Sequence, residues 1–402
     1  MKIKQLFKEI KDCQIIGPKE CAVSGISANS RAIAPGHLFI AKKGRTFDGT
    51  LFIPDAIRAG ASAILTDLFD PSLKNIVQII HPDVTAIEAL VAAEFYRRPS
   101  NDLLMVGLTG TNGKTTTSFI IKHLLDIFFG PCGLIGTIEY IVGRQHYEAS
   151  HTTPDAPTNQ KLLREMCRSG SKSAVMEVTS HALDQGRVDQ IDFDTAIFTN
   201  LTLDHLDYHT TIEQYAKAKR SLFENLGNFK KTKSLLKWAL INQDSPWADF
   251  MKEGCRANCL TYGIDKLADL QAHSIRFERN CSYAKVSYQG STQEFFWPFT
   301  GRFNVFNCLA ALGVLVTRGV TLSDAAEKMR SLPPVKGRMQ PIPNALELEV
   351  YVDFAHSDDA LANVLLCLSE FRKGRLIVVF GCGGDRDKAK RPKMAAAWLP
   401  RD

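Results

Sequence analysis

The run Gly110-Thr111-Asn112-Gly113-Lys114-Thr115-Thr116 constrains this 402-residue chain more than any other feature. It follows the apolar segment 103–108. It precedes a stretch with apolar residues at Ile120, Ile121, Leu124, Leu125 and Phe128, which is one helical face. The setting is therefore strand, Gly-rich loop, helix. Glycines let such a loop curl so that successive N–H groups face phosphate oxygens, and the helix N-terminus adds a favourable field. Lys114 is placed to meet terminal phosphates and Thr115 to hold Mg²⁺. The bland alternative is a plain Gly-rich turn. The spacing also departs from the ordinary P-loop, which has Gly where this chain has Leu108.

Two further motifs follow buried-type strands. Met176-Glu177-Val178-Thr179-Ser180-His181 ends the strand expected over 174–178. A carboxylate at the C-terminal end of a parallel strand faces the ligand crevice, so Glu177 can hold Mg²⁺ opposite the loop. Residues 199–209, with Asp204, His205, Asp207 and His209, follow the strand expected over 196–199. A hydrated loop with capping side chains is the alternative there. Beside the phosphate loop and Glu177, His205 reads as a metal ligand, although magnesium prefers oxygen.

Strand, loop and helix alternate throughout, which predicts an α/β chain with largely parallel sheets. In the first hundred residues strands are expected at 23–27, 37–41 and 62–66, with a helix at 54–60. Turn-rich residues at 97–101 and 331–338 divide the chain into 1–98, 99–332 and 333–402. In the last part, strands are expected at 350–354 and 376–380 and a helix at 360–368. That part is short for a doubly wound domain and is expected to be incomplete.

Lys and Arg exceed Asp and Glu by 49 − 43 = 6, a surplus too weak to argue for nucleic acid. The ten cysteines lack small-scaffold spacing and read as reduced thiols; Cys255 and Cys259 have no companions to complete a zinc site. The N-terminus has no apolar signal core, and no stretch is apolar enough to span a membrane. A cytoplasmic enzyme is expected.

The Gly-Thr-Asn-Gly-Lys-Thr-Thr run, the Glu177 motif and residues 199–209 together resemble the Mur ligase family, ATP-dependent enzymes that build the peptide stem of peptidoglycan. Asn29-Ser30-Arg31, residues 35–41, Thr152-Thr153-Pro154, Gln185-Gly186-Arg187, Leu206-Asp207-Tyr208-His209 and Gly381-Cys382-Gly383-Gly384-Asp385-Arg386-Asp387-Lys388 are similar to the member that adds the third stem residue. The resemblance implies a UDP-binding α/β N-terminal domain, a central parallel-sheet P-loop ATPase domain and a Rossmann-like C-terminal domain. It implies the substrates ATP, UDP-N-acetylmuramoyl-L-alanyl-D-glutamate and an amino acid, meso-diaminopimelate or L-lysine, and a monomer.

By the same resemblance Ser30, Arg45, Thr46 and Phe47 meet the UDP end, and Thr152, Thr153, Thr179, Gln185 and Arg187 meet the muramoyl-dipeptide. Lys219 would be carbamylated by CO₂, which turns a cation into a carboxylate-like anion. Thr115 and Glu177 would hold one magnesium, and His205 and carbamylated Lys219 another. Asn304 and Asn307 share a helix face and can reach adenine, with N-capping as the alternative. Arg338 and Asp353 would close over ATP. Phe354, Ser357 and Asp358 stand where the family commonly has Tyr, Thr and Pro. The family's Asp-Asn-Pro-Arg loop, which helps to build the amino-acid pocket, does not occur in these 402 residues. The chain is therefore expected to bind the UDP-muramoyl-dipeptide without forming the tripeptide. Two other readings compete: a related ligase, such as a folylpolyglutamate synthetase or the D-alanyl-D-alanine-adding enzyme, and a non-catalytic nucleotide-binding chain.

Overall fold

The computed structural model describes residues 1–44, 48–228, 235–346, 348–382 and 390–396. They form two compact units. The first comprises Met1–Leu103, Thr153–Gly170 and His181–Asp192, and the second Leu104–Thr152, Ser171–Ser180 and Phe193–Asp402.

The first unit is built on a five-stranded sheet. Its order is Gln14–Ile16, Val77–Ile80, Ala63–Thr66, His37–Ile40, Gly25–Ser27. Only the Gln14–Ile16 edge runs antiparallel. The central strands are apolar and buried at every position but one or two, as parallel strands covered on both faces must be. The expected strands and the helix, here Ile53–Arg58, are present. One face packs with the helix Val84–Phe95 around Leu38, Ile40, Leu65 and Val91.

The second unit holds an eleven-stranded sheet. Its centre is parallel, in the order Cys132–Ile135, Ser173–Glu177, Leu104–Thr109, Thr195–Phe198, Trp238–Asn242, Asn258–Gly263. Antiparallel strands extend both edges. The helices Lys114–Phe129 and Arg302–Val316 cover one face, burying Ile120, Leu124, Leu309 and Leu312 against Val106, Val175 and Ile197. The strand Leu104–Thr109 lies between strands that come later in the chain, so the sheet winds outward from it in both directions. That point is where an open parallel sheet forms its ligand crevice.

The last part of this unit differs from expectation. The helix is present as Asp358–Ser369. Only Tyr351–Val352 of the expected strand 350–354 is formed, paired with Gln340–Pro341. Residues 376–380 form no strand, and Val379 is 94% exposed. Leu376 and Val378 pack against Leu361, Leu365 and Met394, but a Leu-Ile-Val-Val-Phe run becomes a strand only where neighbours also accept its ladder, and among the described residues none do.

Candidate active site

Three neighbouring parallel strands deliver the three motifs to one end of the sheet. In register, Leu108 pairs with Glu177 and Thr109 with Phe198. The loop 110–113, the Glu177 carboxylate and residues 199–204 therefore meet as a consequence of strand pairing.

The loop's shape depends on two glycines. Gly110 has φ 151°, and a Cβ there would lie 1.9 Å from Thr199 Oγ1. Gly113 has φ 87°, and a Cβ there would lie 2.5 Å from Asn307 Oδ1. The third motif laces the loop in place. Thr111 N–H donates to the Asn200 carbonyl (2.9 Å) and Asn112 N–H to Asn200 Oδ1 (2.9 Å). Thr199 Oγ1 donates to the Asn112 carbonyl (2.6 Å). The helix Lys114–Phe129 then starts with N–H groups that have no intrahelical partner, the usual cradle for an anion.

Glu177 is fully buried. Its oxygens accept from Thr115 Oγ1 (3.0 Å), Thr137 Oγ1 (2.8 Å) and Thr137 N–H (3.0 Å). Gly136 permits this approach, since a Cβ there would sit 2.4 Å from Glu177 Oε1. Thr137 Oγ1 also lies 3.1 Å from Thr152 Oγ1. Thr115 Oγ1 accepts from Arg338 Nη2 (2.9 Å), whose guanidinium lies 4.7 Å from the Phe354 ring centroid. A buried carboxylate beside a threonine hydroxyl, next to an anion cradle, is an oxygen-donor set that suits Mg²⁺.

Lys114 and Lys219 converge on one oxygen. Both donate to the Gly110 carbonyl, at 2.8 and 2.9 Å. Lys219 is 1% exposed, on the helix Ile212–Glu224, with its ammonium 4.3 Å from the Tyr215 ring centroid one turn earlier. Burial, and then the Lys114 charge, pull Lys219 well below the ordinary lysine range. Burial lowers Lys114 as well, with Glu177 and Asp204 opposing.

His205 stands in left-handed backbone (φ 55°), its side chain 43% exposed and its Nε2 3.5 Å from Asp204 Oδ2. Among the described residues no group of three or more His, Cys, Asp or Glu gathers as a metal site. Asn307 accepts from Thr117 Oγ1 (3.1 Å) and donates to Asn304 Oδ1 (3.0 Å), while Asn304 donates to the Thr300 carbonyl (2.8 Å). Gly301 is the N-cap of that helix, so neither asparagine caps it. Asp353 accepts from the Met339 and Ala355 N–H groups (2.7 and 2.8 Å) and thereby shapes the Arg338 turn.

In the first unit, Arg187 donates to Gln185 Oε1 (2.7 and 3.0 Å) and to the Thr153 carbonyl (3.0 Å), so these three residues form one cluster. Ser30 begins the turn Ser30–Ala32. Thr179 follows the Glu177 strand in the second unit. Arg45, Thr46, Phe47 and residues 383–388 lie outside the described residues.

Sequence reasoning missed Thr137, Tyr215 and Asp359, whose Oδ2 accepts from Asn112 Nδ2 (3.0 Å). Thr137 had a signal: Gly136-Thr137 follows a buried strand as Gly110-Thr111 does. Tyr215 and Asp359 carried none, because only the fold brings them to the loop.

Comparison with known proteins agrees with this geometry. Family models match in chain order: Mur ligase family, catalytic domain, at residues 22–96; Mur ligase middle domain at 108–315; and Mur ligase, glutamate ligase domain, at 337–398. UDP-N-acetylmuramoyl-L-alanyl-D-glutamate–2,6-diaminopimelate ligases are similar over 98% of this chain and 80% of their own length. That of Chlamydia pneumoniae is 41% identical and that of Caldanaerobacter subterraneus subsp. tengcongensis 38%. A solved structure of a ligase of that name superposes with TM-score 0.76 at 30% identity, covering 99% of this chain and 80% of that one. The D-alanyl-D-alanyl ligase of Acinetobacter baumannii shares the fold at TM-score 0.68 and 18% identity, covering 92% and 77%. Identity at this level, across nearly all of this chain and four-fifths of each relative, shows that the chain belongs to the Mur ligase family.

Proposed function

We propose that this protein joins meso-diaminopimelate to UDP-N-acetylmuramoyl-L-alanyl-D-glutamate at the expense of ATP, a step in peptidoglycan-precursor synthesis. The observation that carries the reading is the Thr115–Glu177 junction beside the Lys114 loop, in a chain whose relatives bear that name. Diaminopimelate is preferred to lysine because the similar ligases are named for it.

A carboxylate is a poor acylating agent at neutral pH. In this reading the D-glutamyl carboxylate attacks the γ-phosphorus of ATP, ADP leaves, and an acyl phosphate results. The amine of the incoming amino acid attacks the acyl carbon, and inorganic phosphate departs with the bond to it. The N–H groups of the loop and helix N-terminus hold the phosphates, and Lys114 moves its ammonium from the Gly110 and Thr111 carbonyls to the crowded oxygens. Thr115 and Glu177 would hold Mg²⁺, with His205 and a carbamylated Lys219 for a second ion; the metal would supply Lewis-acid charge neutralisation. Lys219 suits carbamylation because it is buried and touches a carbonyl rather than a carboxylate. An uncharged amine adds to CO₂ and loses a proton, leaving an anion. Asn304, Asn307, Arg338 and Asp353 serve the nucleotide. Thr152, Thr153, Thr179, Gln185 and Arg187 serve the muramoyl-dipeptide, and Ser30 with residues 45–47 its UDP end. Residues 1–98, 99–332 and 333–402 are the UDP-substrate, ATP and amino-acid parts of a cytoplasmic monomer.

The test is ADP release by the purified chain that requires both UDP-muramoyl-dipeptide and diaminopimelate, with the tripeptide identified by mass. Lys219→Ala is expected to be nearly inactive and to recover partly with short carboxylates. Release that ignores the dipeptide, dipeptide binding without tripeptide (the outcome expected from the sequence alone), or full activity of Lys219→Ala, overturns the corresponding part.

A further inference from the structure

A cleft of about 1200 Å³ opens in the first unit, where the strands Gly25–Ser27 and His37–Ile40 begin. None of Ser30, Thr153, Gln185 and Arg187, the described first-unit residues assigned to substrate, lines it. Its walls come from the strand Gly25–Ser27, the start of His37–Ile40, Ala32, Met1 and Gln5, the end of the helix Val84–Phe95 and one side of the helix Ala156–Arg168.

Five cationic side chains line the cleft against two carboxylates, Glu94 and Glu165. Two of the five are committed. Arg164 donates to the Tyr96 and Arg97 carbonyls (2.8 and 2.7 Å) and to Asp102 (3.1 Å). Arg98 donates to Glu94 (2.9 and 2.5 Å) and Gln190 (3.1 Å). These bonds hold a turn in which Arg97 and Arg98 both adopt left-handed backbone, at φ 59° and 46°. The remaining cations are Arg97, Lys161 and Arg168, all exposed. Of these three, only Lys161 has a carboxylate within 4.0 Å among the described residues, Glu165 at 3.9 Å.

The wall also carries neutral donors. His37 lies directly over Gly25, where a Cβ would meet its Nε2 at 2.4 Å. Its Nδ1 accepts the Ala34 N–H (3.3 Å), so the neutral ring carries its proton on Nε2. Burial, and next the Lys161 charge, hold His37 below the ordinary histidine range. Burial pushes the Tyr96 phenol up to about 12, so it keeps its O–H at neutral pH. The Phe95 ring stands edge-on to Tyr96, centroids 4.9 Å apart, as an apolar face in the same wall.

We propose that this cleft is a second anion site, separate from the phosphate loop, for a nucleotide-sized ligand bearing a polyphosphate. Lys161, Arg168 and Arg97 would take the phosphates, His37 and Tyr96 would donate to them, and Phe95 would face the apolar body. A concave surface with a cationic surplus concentrates such anions, and the cleft exceeds the volume a nucleotide needs. The proposal does not depend on the ligase reading.

The test uses full-length protein carrying Lys114→Ala, which cripples the phosphate loop, with inorganic tripolyphosphate and ADP as probes. Hydrogen exchange is followed peptide by peptide. Protection of residues 94–101 and 157–168 at millimolar probe is expected. Lys161→Glu with Arg168→Glu, both at exposed positions, should weaken it by about tenfold or more without lowering the melting temperature. Lys161→Arg should retain it. ADP protecting more strongly than tripolyphosphate identifies the apolar contact as part of the site. No protection of these peptides, or equal protection in the double variant, overturns the proposal, whatever the ligase assay shows.

Discussion

The phosphate loop and residues 376–380 follow similar instructions to different ends. Leu-Met-Val-Gly-Leu-Thr at 104–109 and Leu-Ile-Val-Val-Phe at 376–380 are both apolar and β-prone. The first is a strand buried at every position after Leu104, with a parallel neighbour on each side. The second has no ladder partner among the described residues; Leu376 and Val378 pack against Leu361 and Leu365, while Ile377 is 74% and Val379 94% exposed. Burial from both sides and ladder partners, rather than propensity, make a strand that can carry a site. The segment containing 376–380 still reaches the loop, but through single side chains: Arg338 to Thr115 and Asp359 to Asn112.

The largest expected effect lies in the loop. Lys114→Ala should cut ADP release at least about a hundredfold, because it removes the charge that meets the transferring phosphate. The melting temperature should hold, since Lys114 donates only to loop carbonyls. Near-normal release would show that the loop's rigidity, not its cation, does the chemistry.

Next comes a paired stability measurement. Ile197→Ala removes a fully buried side chain from the sheet centre and should cost about 2–5 kcal/mol. Val379→Ser changes an exposed one and should stay within about 0.5 kcal/mol. Equal losses in urea unfolding would break the contrast between the two regions.

The smallest effect sharpens the account of Lys219. Its folded pKa lies below the ordinary 10.5, so between the two values the unfolded chain holds the extra proton. Stability of the unmodified chain must therefore rise with pH across that window. In bicarbonate-free buffer, Lys219→Met should be more stable than the parent near neutral pH. The gap in melting temperature should narrow between about pH 7 and about pH 10. A gap constant across that range would mean that Lys219 does not carry this penalty.

Much of the site was legible because its motifs are local. A strand followed by Gly110–Thr116 and a helix specifies an anion cradle from consecutive residues, and Glu177 announces itself by ending an apolar strand. Linear order says less about 199–209. Only His205 reads as a ligand there, while Thr199 and Asn200, at the start of the run, brace the loop. Asn304 and Asn307, which the spacing offers to adenine, are hydrogen-bonded to Thr300 and Thr117, and Asn307 sits beside Gly113.

By itself the sequence determined the alternation of strands and helices, the parallel character of the sheets and the phosphate loop, since each follows from residue spacing over one or two turns or strands. Tertiary structure alone decided which strands are neighbours. The order that sets Ser173–Glu177 and Thr195–Phe198 on either side of Leu104–Thr109 brings Glu177 to Thr115 and Thr137, and Lys219 to the Gly110 carbonyl 109 residues away. It also decided that residues 376–380, apolar as they are, form no strand. A ladder needs a second chain segment, and a linear pattern names no partner.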